Sequence, residues 1–152
     1  MAQQLTVTME VLVRAANPEL AHLWQVLYTR YPTLEWGTFA RFGWRETGRG
    51  LVLTLVALDP PCEGHLDPSV GLTRFREPYI LRTALAAEQH QLAVGVIHSH
   101  PRGCLTCPSD LDDDMDSYFA DYFSGFASGR PYVSLIFAEE ASITSGTGRI
   151  WW

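Results

Sequence analysis

A chain of 152 residues has the length of one ordinary domain and can bury a substantial core without disulfide or metal support. With 47% hydrophobic and 18% charged residues it is expected to be a compact globule, which excludes a disordered tail or tether. A net charge of −6 with scattered basic residues argues against a nucleic-acid partner, since a phosphate backbone is met by clustered positive charge.

From the N-terminus, LTVTMEVLV places Leu5, Val7, Met9, Val11 and Val13 at period two, which predicts a strand with one buried face. The opening residues lack the basic end and apolar block of a signal peptide, and no stretch approaches the ~18 apolar residues of a membrane span. A cytoplasmic protein without membrane association is the expectation. Asn17, Pro18 and Glu19 read as N-cap, N1 and first-turn acid, and Leu20, Leu23, Trp24, Leu27 and Tyr28 follow at helical spacing. That helix should stop near Tyr31, before Pro32.

LEWGTFARFGW and LVLTLVAL, joined by RETGRG, predict an antiparallel hairpin. Asp59 to Arg76, with three prolines and two glycines, reads as a long loop. PYILRTALAAEQH predicts a second helix with Leu81, Ala84 and Leu85 on one face, and LAVGVIH a central strand buried on both sides. Met115, Tyr118, Phe119, Tyr122, Phe123 and Phe126 repeat at three and four residues, giving a third helix whose aromatics belong to the core. PYVSLIFA and ASITSGTGRIWW close the chain as strands. No repeat or linker interrupts it, so residues 1–152 are read as a single α/β domain of the α+β type: a mixed, mainly antiparallel sheet flanked by helices.

The chemistry concentrates in VGVIHSHPRGCLTCPSDLDDDMD. His98 and His100 end a strand two residues apart, so their rings project to one side of the sheet. Pro101 then turns the chain away. Ser109 and Asp112 form an S-x-x-D helix opening, which by itself is a capping box, and the acids from Asp110 to Asp116 complement the helix dipole. An H-x-H pair is common on strands, too. Joined at fixed spacing the two are far more specific than either alone. Two imidazoles and a carboxylate are ligands that zinc accepts, and three protein ligands leave a fourth position for water.

The run HSHPRGCLTCPSDLD matches H-x-H-P-x7-S-x-x-D at every position, and in this the chain resembles the JAB/MPN metalloproteases that carry the JAMM motif. The resemblance implies a cytidine-deaminase-like JAB/MPN fold, zinc held by His98, His100 and Asp112, and Ser109 assisting at the oxyanion. It also implies a catalytic glutamate on the strand after the first helix, within E-x-G. Glu35, in LEWGTFARFG, fits that slot. In the hairpin Glu35 lies at the open end and Glu46 beside the turn; Glu63, in the following loop, returns to Glu35's end and is the rival. Zinc would lower the pKa of its bound water toward about 7, with Glu35 as general base. The implied reaction is hydrolysis after the C-terminal glycine of a ubiquitin-like protein, by an isopeptidase similar to bacterial stand-alone enzymes that accompany ubiquitin-like conjugation systems, some in antiviral defence. The alternative of another class is an MPN-type protein-binding scaffold without catalysis.

Cys62 with His65 makes C-x-x-H, and Cys104 with Cys107 makes C-x-x-C. Together they would supply four ligands for a second, structural zinc; the competing reading is two unrelated loops with reduced thiols.

Overall fold

The computed structural model describes residues 10–28, 35–69, 72–100, 106–138 and 146–151. The elements in chain order are β1 (Glu10–Arg14), α1 (Asn17–Leu27), β2 (Trp36–Thr47), β3 (Gly50–Asp59), β4 (Leu66–Ser69), β5 (Leu72–Phe75), α2 (Glu77–His90), β6 (Ala93–Ser99), α3 (Asp110–Ser124), β7 (Tyr132–Phe137) and β8 (Gly146–Trp151). Six strands form a curled mixed sheet in the order β1-β3-β2-β6-β7-β8. The β1/β3 and β6/β7 pairs are parallel, while β2/β3, β2/β6 and β7/β8 are antiparallel. The chain is thus a mixed α/β domain with helices flanking one mainly antiparallel sheet.

Strand β6 is buried along its whole length and divides the core by alternation. Ala93 and Ile97 join Leu23 and Leu27 of α1, with Phe42, Leu51, Leu53 and Leu55 from the hairpin. Val94 and Val96 face the other way, onto Tyr79, Ile80, Ala84 and Ala87 of α2 and Phe119 and Phe123 of α3. Phe39 centres this second cluster, its ring meeting those of Phe75, Tyr79, Phe119 and Phe123 at 4.8–5.4 Å. Aromatic pairs at such separations contribute about 0.5–1.5 kcal/mol each beyond the area they bury.

Several expectations need correction. Val11 and Val13 do not form a buried face: every residue of β1 is exposed, because β1 is the sheet's edge and pairs on one side only, with β3. Leu5, Val7 and Met9 lie outside the described residues. The N-cap of α1 is Ala16, one residue earlier than Asn17, and Pro18 sits in the first turn, where its missing N–H costs no intrahelical bond. The helix ends at Leu27, before the expected stop; Tyr31 is not among the described residues.

On α2 the inward stripe is Tyr79, Ile80, Thr83, Ala84 and Ala87, while Leu81 and Leu85 are 39% and 50% exposed. The small alanines let the helix lie close to the sheet, which leucines at those positions would prevent. Within the expected loop from Asp59 to Arg76, β4 and β5 form a two-stranded antiparallel sheet with Leu66 opposite Phe75. Pro68 reads as a strand breaker, yet a proline is tolerated in an isolated pair where no further ladder needs its N–H. Leu66 and Phe75 close over the second core cluster.

Candidate metal centre

His98 is the penultimate residue of β6, and His100 follows the strand's end, held by its backbone N–H donating to the Phe137 carbonyl at 2.9 Å. Their ring centroids are 5.2 Å apart. Across the gap stands Asp112 from the first turn of α3, with Oδ1 3.1 Å from His98 Nε2 and Oδ2 3.5 Å from His100 Nε2. All three residues are buried, and one ligand atom from each lies within 4.8 Å of the others.

The helix cap orients the carboxylate. Ser109 is the N-cap of α3: its backbone N–H and its hydroxyl both donate to Asp112 Oδ2, at 2.7 and 2.8 Å, and the Asp112 N–H returns to Ser109 Oγ at 3.2 Å. A capping box ordinarily stabilises a helix end. Here its acidic member is also the residue that meets both imidazoles, so the local signal for a helix start and the site share one side chain. Burial pushes the Asp112 carboxyl up, but hydrogen bonds from His100, His98 and the Ser109 backbone outweigh it and hold the group far below the usual carboxylate range.

Glu35 is the residue before β2, whose first pairs with β6 are Trp36 with Ser99 and Gly37 with His98. Partial burial raises the Glu35 carboxyl above its ordinary value; the charges of His98 and His100 oppose the rise and that of Asp112 adds to it. His98, His100 and Asp112, from two other segments of the chain, therefore all act on the Glu35 carboxyl. Glu46 lies at the other end of β2, opposite Leu51. Glu63 sits on an exposed turn and is not among the charges acting on Glu35 or Asp112.

The residues present fit a metal ion. Both ring nitrogens of His98 are buried; Nδ1 has no hydrogen-bond partner among the described residues and Nε2 meets only the Asp112 carboxylate, an arrangement that costs free energy unless something else satisfies it. Tetrahedral zinc with bonds of about 2.0–2.2 Å separates its ligand atoms by roughly 3.4 Å. The 3.1 and 3.5 Å contacts are close to that spacing. Two imidazoles and a carboxylate could hold a divalent cation here.

The second ligand set is not assembled among the described residues. Cys62, His65 and Cys107 form no common ligand group there, and Cys104 lies outside them. His65 Nδ1 instead accepts the Cys62 backbone N–H at 3.0 Å, and its ring stacks on Tyr79 at 4.9 Å. Cys62 and Cys107 are exposed free thiols.

Sequence reasoning missed Asp116. It is fully buried, accepts the Tyr132 hydroxyl at 3.0 Å and pairs with Arg149, which also reaches Asp113. Its spacing was the signal: Asp112, Asp116, Phe119 and Phe123 follow one another at four, three and four residues, which is the inward stripe of α3. It ties that helix to β7 and β8.

The fold and the site define an α/β domain with a buried His-His-Asp group, able to take a metal, at the junction of a central strand and a helix N-terminus. No protein-family model matches the chain, and neither does any curated protein.

Proposed function

We propose that the chain is a zinc-dependent isopeptidase or peptidase of the JAB/MPN type, with that family's cytidine-deaminase-like fold. Its substrate would be a ubiquitin-like protein, cut after the C-terminal glycine. The observation that carries this reading is the convergence of His98, His100 and the capped Asp112 within 4.8 Å, with Glu35 in electrostatic range. Bound zinc would supply Lewis acidity toward water and the scissile carbonyl. Glu35 would accept a proton from the attacking water and deliver it to the departing amine. Ser109, at the rim of the group, would turn its hydroxyl from Asp112 Oδ2 to the developing oxyanion, a donor whose loss commonly costs about 10²-fold in rate. A glycine-rich tail is thin and flexible, suited to lying as an added strand along a sheet edge. The physiological setting in this reading is a cytoplasmic bacterial ubiquitin-like conjugation pathway of the kind that serves antiviral defence.

The test is a panel of ubiquitin-like proteins extended by a reporter past the C-terminal glycine. The purified chain should release the reporter, and release should cease on chelation, return with zinc, and be lost in Glu35→Ala. Substrate binding that survives chelation and Glu35→Ala, with no cleavage by the wild type, would overturn the hydrolase reading in favour of a protein-binding scaffold. Loss of activity in Glu63→Ala and not in Glu35→Ala would move the base to the loop.

A further inference from the structure

We propose that Ser99, the residue between the two histidines, is a positioning residue for Glu35. The inference rests on reading Glu35 as the proton-accepting group. Alternation along β6 sends the His98 side chain toward Asp112 on α3, and Ser99 to the opposite side, where Ile97 packs with α1. Ser99 is fully buried. Its Oγ accepts the Trp36 backbone N–H at 3.3 Å, and lies 3.1 Å from the Leu27 carbonyl oxygen and 3.3 Å from that of Trp36. The single hydroxyl proton can go to either carbonyl.

The Trp36 N–H belongs to the peptide that joins Glu35 to Trp36. The hydroxyl therefore grips the backbone that carries Glu35, and it does so from a residue bonded directly to both histidines. Trp36 is also the first residue of β2 and pairs with Ser99 at the start of its ladder with β6. Leu27 is the last residue of α1. One buried side chain thus fixes where the chain leaves α1 and where it arrives beside the metal ligands. Because Ser99 points away from Asp112, it holds Glu35 without occupying the space between the ligands.

Displacement of a catalytic group by ~1 Å can cost on the order of 10²-fold in rate. Ser99→Ala should lower kcat about 10- to 100-fold on ubiquitin carrying a fluorogenic amide at its C-terminal glycine. KM and zinc affinity, the latter from competition with a chromophoric chelator, should stay within about twofold, since the histidines remain in the strand. Ser99→Thr keeps the hydroxyl and should recover most of the rate. In a Glu35→Gln background, Ser99→Ala should cost almost nothing more, because the two changes remove one function.

Equal losses in the two backgrounds, or a fall in zinc affinity parallel to the fall in kcat, would make Ser99 a general support of the fold and overturn the proposal. Ser99→Cys preserves the volume with a weaker hydrogen-bonding group and serves if the alanine variant fails to fold. Hydrogen exchange at the Trp36 amide reads the clamp without activity. It should be slow in the wild type and Ser99→Thr, and faster in Ser99→Ala or Ser99→Cys; equal exchange in all would overturn the clamp. A wild type inactive on every ubiquitin-like probe overturns the isopeptidase reading, and the exchange result then decides the clamp separately.

Discussion

Ser109 and Asp112 are joined by three hydrogen bonds: two from Ser109 to Asp112 Oδ2, at 2.7 and 2.8 Å, and one from the Asp112 N–H to Ser109 Oγ. The pair caps α3 and aims the other carboxylate oxygen, Oδ1, at His98. Ser109→Ala should therefore act on helix stability and on the metal together. Loss of the cap costs about 1 kcal/mol. Loss of an orienting partner lowers metal affinity by about 10- to 100-fold. Thermal unfolding measures the first and chelator competition the second. Zinc affinity equal to that of the wild type would show that the cap orients nothing.

Metal should stabilise the fold through His98, His100 and Asp112. A ligand at 100 times its dissociation constant adds about 2.7 kcal/mol to unfolding free energy. Zinc should raise Tm in the wild type and leave Tm unchanged in His98→Ala or Asp112→Ala. Scanning calorimetry with and without the ion checks this. A rise that persists in both variants would place the metal elsewhere.

Local pattern made most of the fold and the site legible, and its failures have physical causes. His98, His100, Ser109 and Asp112 lie within one short stretch, and strand and helix periodicity alone bring them to one junction. Glu35 immediately precedes a distant strand, so its place depends on the register between β2 and β6, which local pattern and composition do not give. On α2 hydrophobicity alone does not mark the inward face: Leu81 and Leu85 are exposed, and the alanines permit the closer approach to the sheet. Asp116 falls on the inward stripe of α3, but spacing alone does not say which acid finds a buried partner; Tyr132 and Arg149, from β7 and β8, supply it, and such pairings are tertiary.

Gly37 pairs with His98, and a Cβ placed there would stand 2.7 Å from Phe75 Cζ and 3.2 Å from His98 Cβ. The first of these is closer than carbon atoms tolerate, so Gly37→Ala must displace either the Phe75 ring or the histidine strand. Overpacking of this kind costs about 1–3 kcal/mol. Urea denaturation should report that loss. Replacing Phe75 by Leu in the same chain should recover part of it by opening space above Gly37. An unchanged denaturation midpoint in Gly37→Ala would show that β5 is not packed against β2 at this point.

Tyr79 gives the fold a dependence on alkaline pH. Its hydroxyl donates to the Asp59 carbonyl and accepts the Phe39 N–H at 3.0 Å. Burial pushes the phenol up from 10.0 to about 12, against the hydrogen bonds from Thr38 and Phe39. The folded state thus holds the proton more tightly than the unfolded chain. Its contribution is complete below pH 10.0 and is lost as pH rises through about 12. A difference of that size corresponds to about 3 kcal/mol. Buried Tyr132, shifted in the same direction by burial and by Asp116, steepens the loss. Tyr79→Phe should be less stable at neutral pH by about 1–3 kcal/mol, since the Phe39 N–H and Asp59 C=O lose a partner. It should also lose less stability than the wild type between pH 10 and 12. Urea titrations across that range, followed by tyrosinate absorbance, distinguish the two chains. Parallel losses in both would mean that another group governs alkaline unfolding.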